Sequence, residues 1–282
     1  MSSPKQIVVL MTTHNRSSSL ERALDSLQGS ALVANVIVRV FVSNSGAQAV
    51  RHKTPESQQI FSVHELTVPE NSFWAKGMRL AWEAFMASHV NSDFILWLNE
   101  DTFLDSSALT TLLRVSEESG NRVIVVGSTK SRTQTFTYGG KIRTGPLLRL
   151  HFKDILPDDH NVRTCQTFNG NCVLIPMAVD AKVGGFPRNY THQRADLAYG
   201  LLAEEAGIPS IVAPGYVAEC EENLTHPKYR DLTGRGLMTR LRFFSNPKMG
   251  PLKEHMSFCL RFGGVLGILY GLAPIARSLI AR

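Results

Sequence analysis

Apolar residues in this chain fall in short runs separated by stretches of helical periodicity. Ile7–Met11 predicts a strand, and Thr12-Thr13-His14-Asn15-Arg16 follows it as a polar loop. Ser18 and Glu21 have the spacing of a capping box, and Leu20, Ala23, Leu24 and Leu27 then repeat on one helical face. Val36–Val42 predicts a second strand, closed by Ser43-Asn44-Ser45-Gly46, and Val63–Val68 a third. Met78, Ala81, Trp82 and Phe85 mark one face of a helix. A strand ending at Leu98, a helix near Ser107–Ser116 and a strand over Val123–Val126 complete the alternation. Such alternation predicts an α/β fold with a parallel sheet. The pattern lapses over residues 128–166, where Tyr138-Gly139-Gly140 suggests a hairpin or loop. It resumes with a strand over Val173–Pro176, a short helix to Val183, a turn at Gly184-Gly185, a helix through Leu197 and Leu201, and a last strand over Ile211–Ala213.

Residues 94–101, Phe-Ile-Leu-Trp-Leu-Asn-Glu-Asp, stand out. Five apolar residues run into a polar, acidic tip. A strand buried on both faces requires helices above and below it. Ligands of open α/β sheets bind beyond the carboxyl ends of strands, where Asn99, Glu100 and Asp101 would lie. Carboxylates there suit a hard divalent cation that also holds phosphate oxygens. An ordinary polar exit loop is the competing reading.

Composition narrows the classes. Of 282 residues, 43% are hydrophobic, which is globular rather than disordered composition. The first residues do not read as a secretory leader. Cys165, Cys172, Cys220 and Cys259 are widely spaced and are expected to be free thiols, with no cysteine-based zinc site. His226 near Cys220 reads as a loop residue. Net charge is +6, and residues 227–282 hold ten basic residues against two acids. An uncharged stretch, Phe262–Ala276, lies inside that tail, interrupted by five residues, Gly263, Gly264, Gly267, Gly271 and Pro274. Basic plus apolar character predicts a peripheral membrane contact rather than a spanning helix or a nucleic-acid site.

No Walker A, GxGxxG or GxSxG pattern occurs. Asp101 is the candidate metal ligand. Asp196 is the candidate base, with Arg194 two residues earlier to keep it ionised; a helix N-cap is the alternative. Trp74 and Phe168 suit either stacking on a ligand or core packing.

The order of these motifs resembles family 2 glycosyltransferases of the GT-A fold, in the rhamnosyl- or galactosyltransferase-like branch of bacterial surface-polysaccharide enzymes. The resemblance runs from about Gln6 to His226. Thr12 to Arg16 is similar to the family's T-x-N-R opening, and Val42 to Gly46 to its V-D-N-x-S turn. Phe73 to Arg79 resembles the segment leading from the nucleotide site to the next helix. Asn99-Glu100-Asp101 stands where the DxD-type metal motif does. Phe168 to Pro176 resembles the strand flanking the donor sugar, and Val183 to Phe186 the V-G-G-F turn. Ala195 to Leu201 resembles the helix whose leading acid is the catalytic base. Departures occur at Ser43 and Asn99, each in place of an acid, and at Ala195, Ala198 and Leu202, where Glu, Asp and Arg are usual.

The resemblance implies a Rossmann-like, mostly parallel sheet with flanking helices over residues 1–226 and a C-terminal helical tail over 227–282. It implies inverting, metal-dependent sugar transfer from a nucleotide-diphosphate sugar to a hydroxyl of a glycan or lipid-linked acceptor. Asp196 is then the base and Asp101 the ligand of Mg²⁺ or Mn²⁺. Thr12, Thr13, Asn15, Arg16, Ser43, Asn44, Trp74, Lys76, Asn99, Glu100, Gly170 and Asn171 are the expected donor-binding residues. The expected location is cytoplasmic, peripheral on the inner face of the plasma membrane. Two other classes stay open, a nucleotidyltransferase and a non-catalytic nucleotide-sugar binder. Against the first, Thr12 to Ser19 contains one Arg and no Gly.

Overall fold

In the computed structural model, residues 3–50, 60–145, 150–223, 236, 239, 242, 246 and 251–280 are described. Strands β1 (Gln6–Thr13), β2 (Ile37–Asn44), β3 (Phe61–Thr67) and β4 (Phe94–Leu98) form a parallel block in the order β3-β2-β1-β4. Helices α1 (Ser17–Ala34) and α2 (Trp74–Ala87) make two of its crossovers. Beyond β4 the sheet continues through β12 (Cys172–Pro176), β6 (Ile124–Lys130), β13 (Ser210–Glu219) and β10 (Arg163–Cys165). Strand β12 runs antiparallel to both neighbours, whereas β6 and β13 are parallel. Short strands β5 (Phe103–Leu104) and β7 (Phe136–Tyr138) pair at the sides and complete ten strands. A separate three-stranded sheet joins β8 (Gly140–Arg143), β9 (Phe152–Ile155) and β11 (Thr167–Phe168).

The period of two along each strand divides the core into two layers. Phe94, Leu96 and Leu98 face a cluster with Leu20, Leu24 and Leu27 of α1 and Leu109 and Leu112 of α3 (Ala108–Glu118). Ile95 and Trp97 face the opposite cluster, with Met78 and Phe85 of α2 and Tyr199 of α5 (Ala195–Glu205). Between α2 and α5 lies α4 (Met177–Val183). Its Asp180 is buried and accepts hydrogen bonds from Tyr199 (2.7 Å) and Trp82 (3.0 Å). The predicted elements before Gly127 all form, but α1 begins without the capping box. Its N-cap is Arg16, and no side chain caps it.

The tail also packs on this body. Helix α6 (Leu252–Phe262) inserts Phe258 and Phe262 into the second cluster, and a short turn leads to α7 (Gly267–Ile280). One face is therefore core. The other exposes Leu260, Val265, Ile268, Leu269 and Leu272. No helix among the described residues is long and apolar enough to cross a membrane. All four cysteines are free and buried.

Removing the Phe258 ring should leave a void beneath the second cluster. Phe258→Ala is expected to destabilise the chain by about 3–5 kcal/mol, the usual cost of such a truncation. Urea unfolding checks this, and a cost under about 1 kcal/mol would mean that the tail is not part of the core.

Candidate functional site

Strand register brings the candidate residues to one edge. Thr12 and Thr13 end β1 beside Ser43 and Asn44 of β2. On the other side, Leu10 pairs with Trp97, so the Asn99 tip emerges level with Thr12. Because β12 is antiparallel, it starts where β4 ends. Cys172 pairs with Leu98, and the Asn99 N–H donates to the Asn171 carbonyl at 3.2 Å. The carboxyl ends of β1, β2 and β4 thus meet the entry to β12, the position where open α/β sheets bind ligands.

Two carboxylates and a guanidinium form the first group. Arg16 Nη1 lies 3.3 Å from Asp101 Oδ2, and its Nε lies 3.7 Å from Glu100 Oε1. The Asp101 side chain remains 40% exposed. Glu100 is deeper, with Oε2 buried and lacking a hydrogen-bond partner. Burial pushes its carboxyl up to about 7, against the opposing pull of the Thr13 hydroxyl and Arg16. Cys220, just past β13, places its thiol 3.8 Å from Asp101 Oδ1. Burial, and then the Asp101 charge, push that thiol up to about 12, so it stays neutral. The donor set facing the cleft is therefore hard oxygen without thiolate. Among the described residues no group of three or more His, Cys, Asp or Glu converges, so Mg²⁺ or Mn²⁺ fits there only as an ion held by one or two carboxylates together with substrate phosphates.

A second group surrounds Asp196. Trp74 Nε1 donates to Asn99 Oδ1 at 2.7 Å. The Trp74 ring lies edge-on to Trp97 and Phe186 and occupies the space above Gly170. A Cβ at Gly170 would come within 2.6 Å of that ring and 3.4 Å of Asp196 Cβ. The Gly170 N–H donates to Asp196 Oδ2 at 3.1 Å, and the Leu197 N–H to Oδ1 at 2.8 Å. Burial raises the Asp196 carboxyl above its ordinary value, while these two N–H groups and the Lys141 charge hold it down. A cation acting on it is Lys141 of β8, which no motif in the sequence places there. Nor is Asp196 the N-cap of α5. That position belongs to Arg194, which is left-handed at φ 69°.

The remaining candidates sit around this centre. Asn15 Oδ1 accepts from the Ala47 N–H at 3.0 Å, and a Cβ at Gly46 would meet Asn15 at 2.5 Å, so the two loops interlock only with glycine there. The buried Ser43 hydroxyl donates to the Gly77 carbonyl at 2.8 Å. Asn44 donates to Glu65 at 2.6 Å and to the Gln48 carbonyl at 2.7 Å. Lys76 Nζ reaches Asn71 Oδ1 at 3.2 Å. Phe168 is fully buried against Trp97 and Tyr199, which is core packing. His226 lies outside the described residues. Sequence reading missed Cys220 and Lys141. Cys220 was concealed because the last strand reads as ending at Ala213, yet it continues past Pro214 and Gly215 through a bulge to Glu219.

Residues 8–173 match the model of Glycosyl transferase family 2, and the chain belongs to that family. No curated protein matches the chain. The crystal structure of S. aureus TarS is similar, with a TM-score of 0.50 and 12% identity, over 91% of this chain and 42% of that one. The chain thus spans less than half the length of that structure, and at this identity the likeness concerns the fold. The sheet with its flanking and C-terminal helices is the GT-A fold, and residues 8–173 of it are a family 2 glycosyltransferase domain. Family membership sets aside the nucleotidyltransferase reading.

The raised Asp196 carboxyl has a consequence for stability. Folding raises its proton affinity, so its contribution is fully present below the unfolded value near 3.9 and is lost as pH rises through the folded value. Wild type should therefore lose stability relative to Asp196→Asn as pH rises from about 4 to 8. Urea midpoints of both proteins across that range check it, and a constant difference would contradict it.

Proposed function

We propose that this family 2 glycosyltransferase performs inverting, cation-assisted transfer from a nucleotide-diphosphate sugar to a hydroxyl of a glycan or lipid-linked acceptor. The observation that carries the reading is that two chemically different acids are both connected to the tip of β4. Half-exposed Asp101 lies three residues beyond β4, and Asp196 is joined to the same tip through Gly170, Trp74 and Asn99. We assign membership of the rhamnosyl- or galactosyltransferase-like branch, and a role in surface-polysaccharide synthesis, on the motif order alone.

Asp101 would hold the divalent cation, with Glu100 behind it. When bound, the ion supplies charge neutralisation for the diphosphate leaving group. Arg16 is the chain's own positive group at that place, and it lies within reach of the same carboxylates. Thr12, Thr13, Asn15, Ser43 and Asn44 form the floor and rim for the nucleotide. Lys76 lies on the first turn of α2, where its ammonium and the positive end of the helix dipole favour phosphate. Gly170 and Asn171 border the donor sugar. Asp196 takes the proton from the acceptor hydroxyl, which attacks the anomeric carbon opposite the diphosphate, so a single displacement inverts the centre. The O–C bond forms as the C–O bond to the diphosphate breaks, and the proton ends on Asp196. Its carboxyl is suited to this, because a raised proton affinity strengthens a base.

Residues 1–226 form the transferase body in this reading, and 227–282 the membrane-associating tail. Supporting it, the hairpin of α6 and α7 docks by one face and presents Leu260, Val265, Ile268, Leu269 and Leu272 on the other. Exposed Lys253 stands on the same hairpin, beside a basic tail sequence. An apolar face with basic residues suits an anionic leaflet. The corresponding location is peripheral, on the cytoplasmic side of the plasma membrane.

Two experiments test these assignments. A panel of nucleotide sugars with Mn²⁺, read by thermal shift, selects the donor. Asp101→Ala should then lose Mn²⁺-dependent donor binding. Asp196→Asn should keep donor binding but lose transfer by about 10²–10⁴-fold, the usual share of a general base. Donor affinity unchanged in Asp101→Ala, or near-normal turnover in Asp196→Asn, would withdraw the respective role. Separately, the full chain should float with anionic vesicles, and high salt should reduce this only in part, because apolar insertion is not screened. Replacing Val265, Ile268 and Leu269 together by Ser should abolish flotation while turnover on a soluble acceptor persists. Flotation unaffected by that triple change would remove the hairpin from the membrane contact.

A further inference from the structure

Glu254, in the first turn of α6, receives two hydrogen bonds from one residue. The Thr191 N–H donates to it at 3.0 Å and the Thr191 hydroxyl at 2.5 Å. Bonds to an ionised carboxylate are roughly twice as strong as neutral ones. Thr191 lies in the loop joining α4 to α5. The carbonyl of Thr191 accepts from the Lys76 N–H at 3.0 Å, and His192 Nδ1 stands 3.4 Å from the Trp74 N–H. Those two N–H groups belong to the first turn of α2, where a helix has no internal acceptors of its own. One loop therefore caps α2, and Glu254 holds that loop.

The same loop leads directly into α5 and Asp196 through Arg194, a non-glycine residue held at φ 69°. Apolar contacts flank the clamp. Tyr190 meets the Phe258 ring edge-on at 6.3 Å, and the Arg194 guanidinium lies 5.8 Å over that ring. A carboxylate on α6 is thus linked, through one residue, to both sides of the cleft. On one side is α2, with Trp74 bonded to Asn99; on the other is α5, with Asp196 bonded to Gly170.

We propose that Glu254 is a positioning residue of the transfer reaction, fixing Thr191 so that the first turns of α2 and α5 keep their spacing across the cleft. The proposal deepens the reading of the site given above and rests on it. It makes α6 part of the catalytic apparatus, independent of any lipid contact. Glu254 acts through Thr191 and touches no reacting atom.

The test uses the full chain with Glu254→Gln and Thr191→Val, singly and together. Glutamine keeps the shape of Glu254 but leaves one acceptor oxygen where two are used. Valine removes only the hydroxyl donor at nearly constant volume. Hydrogen exchange over residues 72–78 and 188–197 needs no donor. Turnover is read with the donor selected by the panel, and Mn²⁺ with UDP, GDP or dTDP serves as the binding probe. Glu254→Gln is expected to speed exchange in both segments and leave β1 and β4 unchanged. Its kcat should fall about 5- to 30-fold with KM for the donor within about threefold, and the double variant should be no worse than about twofold below the weaker single, as coupled residues behave. Thr191→Ser, which keeps the hydroxyl, should restore turnover lost in Thr191→Val.

Three results would overturn the proposal. These are turnover within twofold of wild type in both folded single variants, losses that multiply in the double, or faster exchange confined to α6. If Glu254→Gln does not fold, Thr191→Val against Thr191→Ser decides alone, and equal turnover in the two overturns it. Failure of the base reading is seen separately, as persistent turnover in Asp196→Asn. The Glu254–Thr191 coupling is read without reference to that result.

Discussion

The hydrogen bond from the Trp74 indole to the Asn99 amide is the constraint on which the cleft depends. At 2.7 Å it joins the start of α2 to the tip of β4. Both partners are otherwise held by packing, Trp74 against Trp97 and Phe186, and Asn99 by its backbone bond to Asn171. Gly170 must lack a side chain for the indole to lie there, and its freed N–H then binds Asp196. Asparagine at position 99 is the residue this arrangement needs. Its neutral oxygen accepts the indole proton without adding a third negative charge beside Glu100 and Asp101, and like charges packed together disfavour ionisation.

Burial differentiates the acids. Asp101 stays at the surface beside Arg16, able to meet a cation and phosphates. Glu100 is drawn under the loop, and burial raises it to about 7. Asp196 sits against a wall of Trp74 and Gly170 with two backbone donors, so its proton affinity rises but is moderated. Groups of one chemical type thus acquire different proton affinities because their surroundings differ, which is how one site separates charge binding from proton transfer.

The tail shows how one segment serves two surfaces. Its sequence is basic and interrupted by glycine, and it reads as an appendage. In the fold, Phe258 and Phe262 complete the core cluster that covers Trp97, while Glu254 ties down the loop before Asp196. The apolar residues left over, Val265 and Leu269 among them, point away from the body. Apolar content of a helix alone does not say which face meets protein and which meets something else.

Residue order alone makes the elements and the candidate sheet edge legible. Strand and helix periods are local, so Ile7–Met11, Phe94–Leu98 and the face of Met78, Ala81 and Phe85 are legible from neighbouring residues. Polar residues directly after apolar strands mark the edge for the same reason, which is why Thr13, Asn44, Asn99 and Asp101 are found together. The rest is set by contacts between distant segments. The reversal of β12, which brings Asn171 and Gly170 to the Asn99 tip, depends on pairing between segments some seventy residues apart, and no local pattern encodes strand direction. The short strands of residues 128–168 bury little apolar surface of their own and take their form from neighbours. Lys141, more than fifty residues distant in the chain, acts on Asp196 because proximity in a low-dielectric cleft is set by the fold and not by sequence spacing.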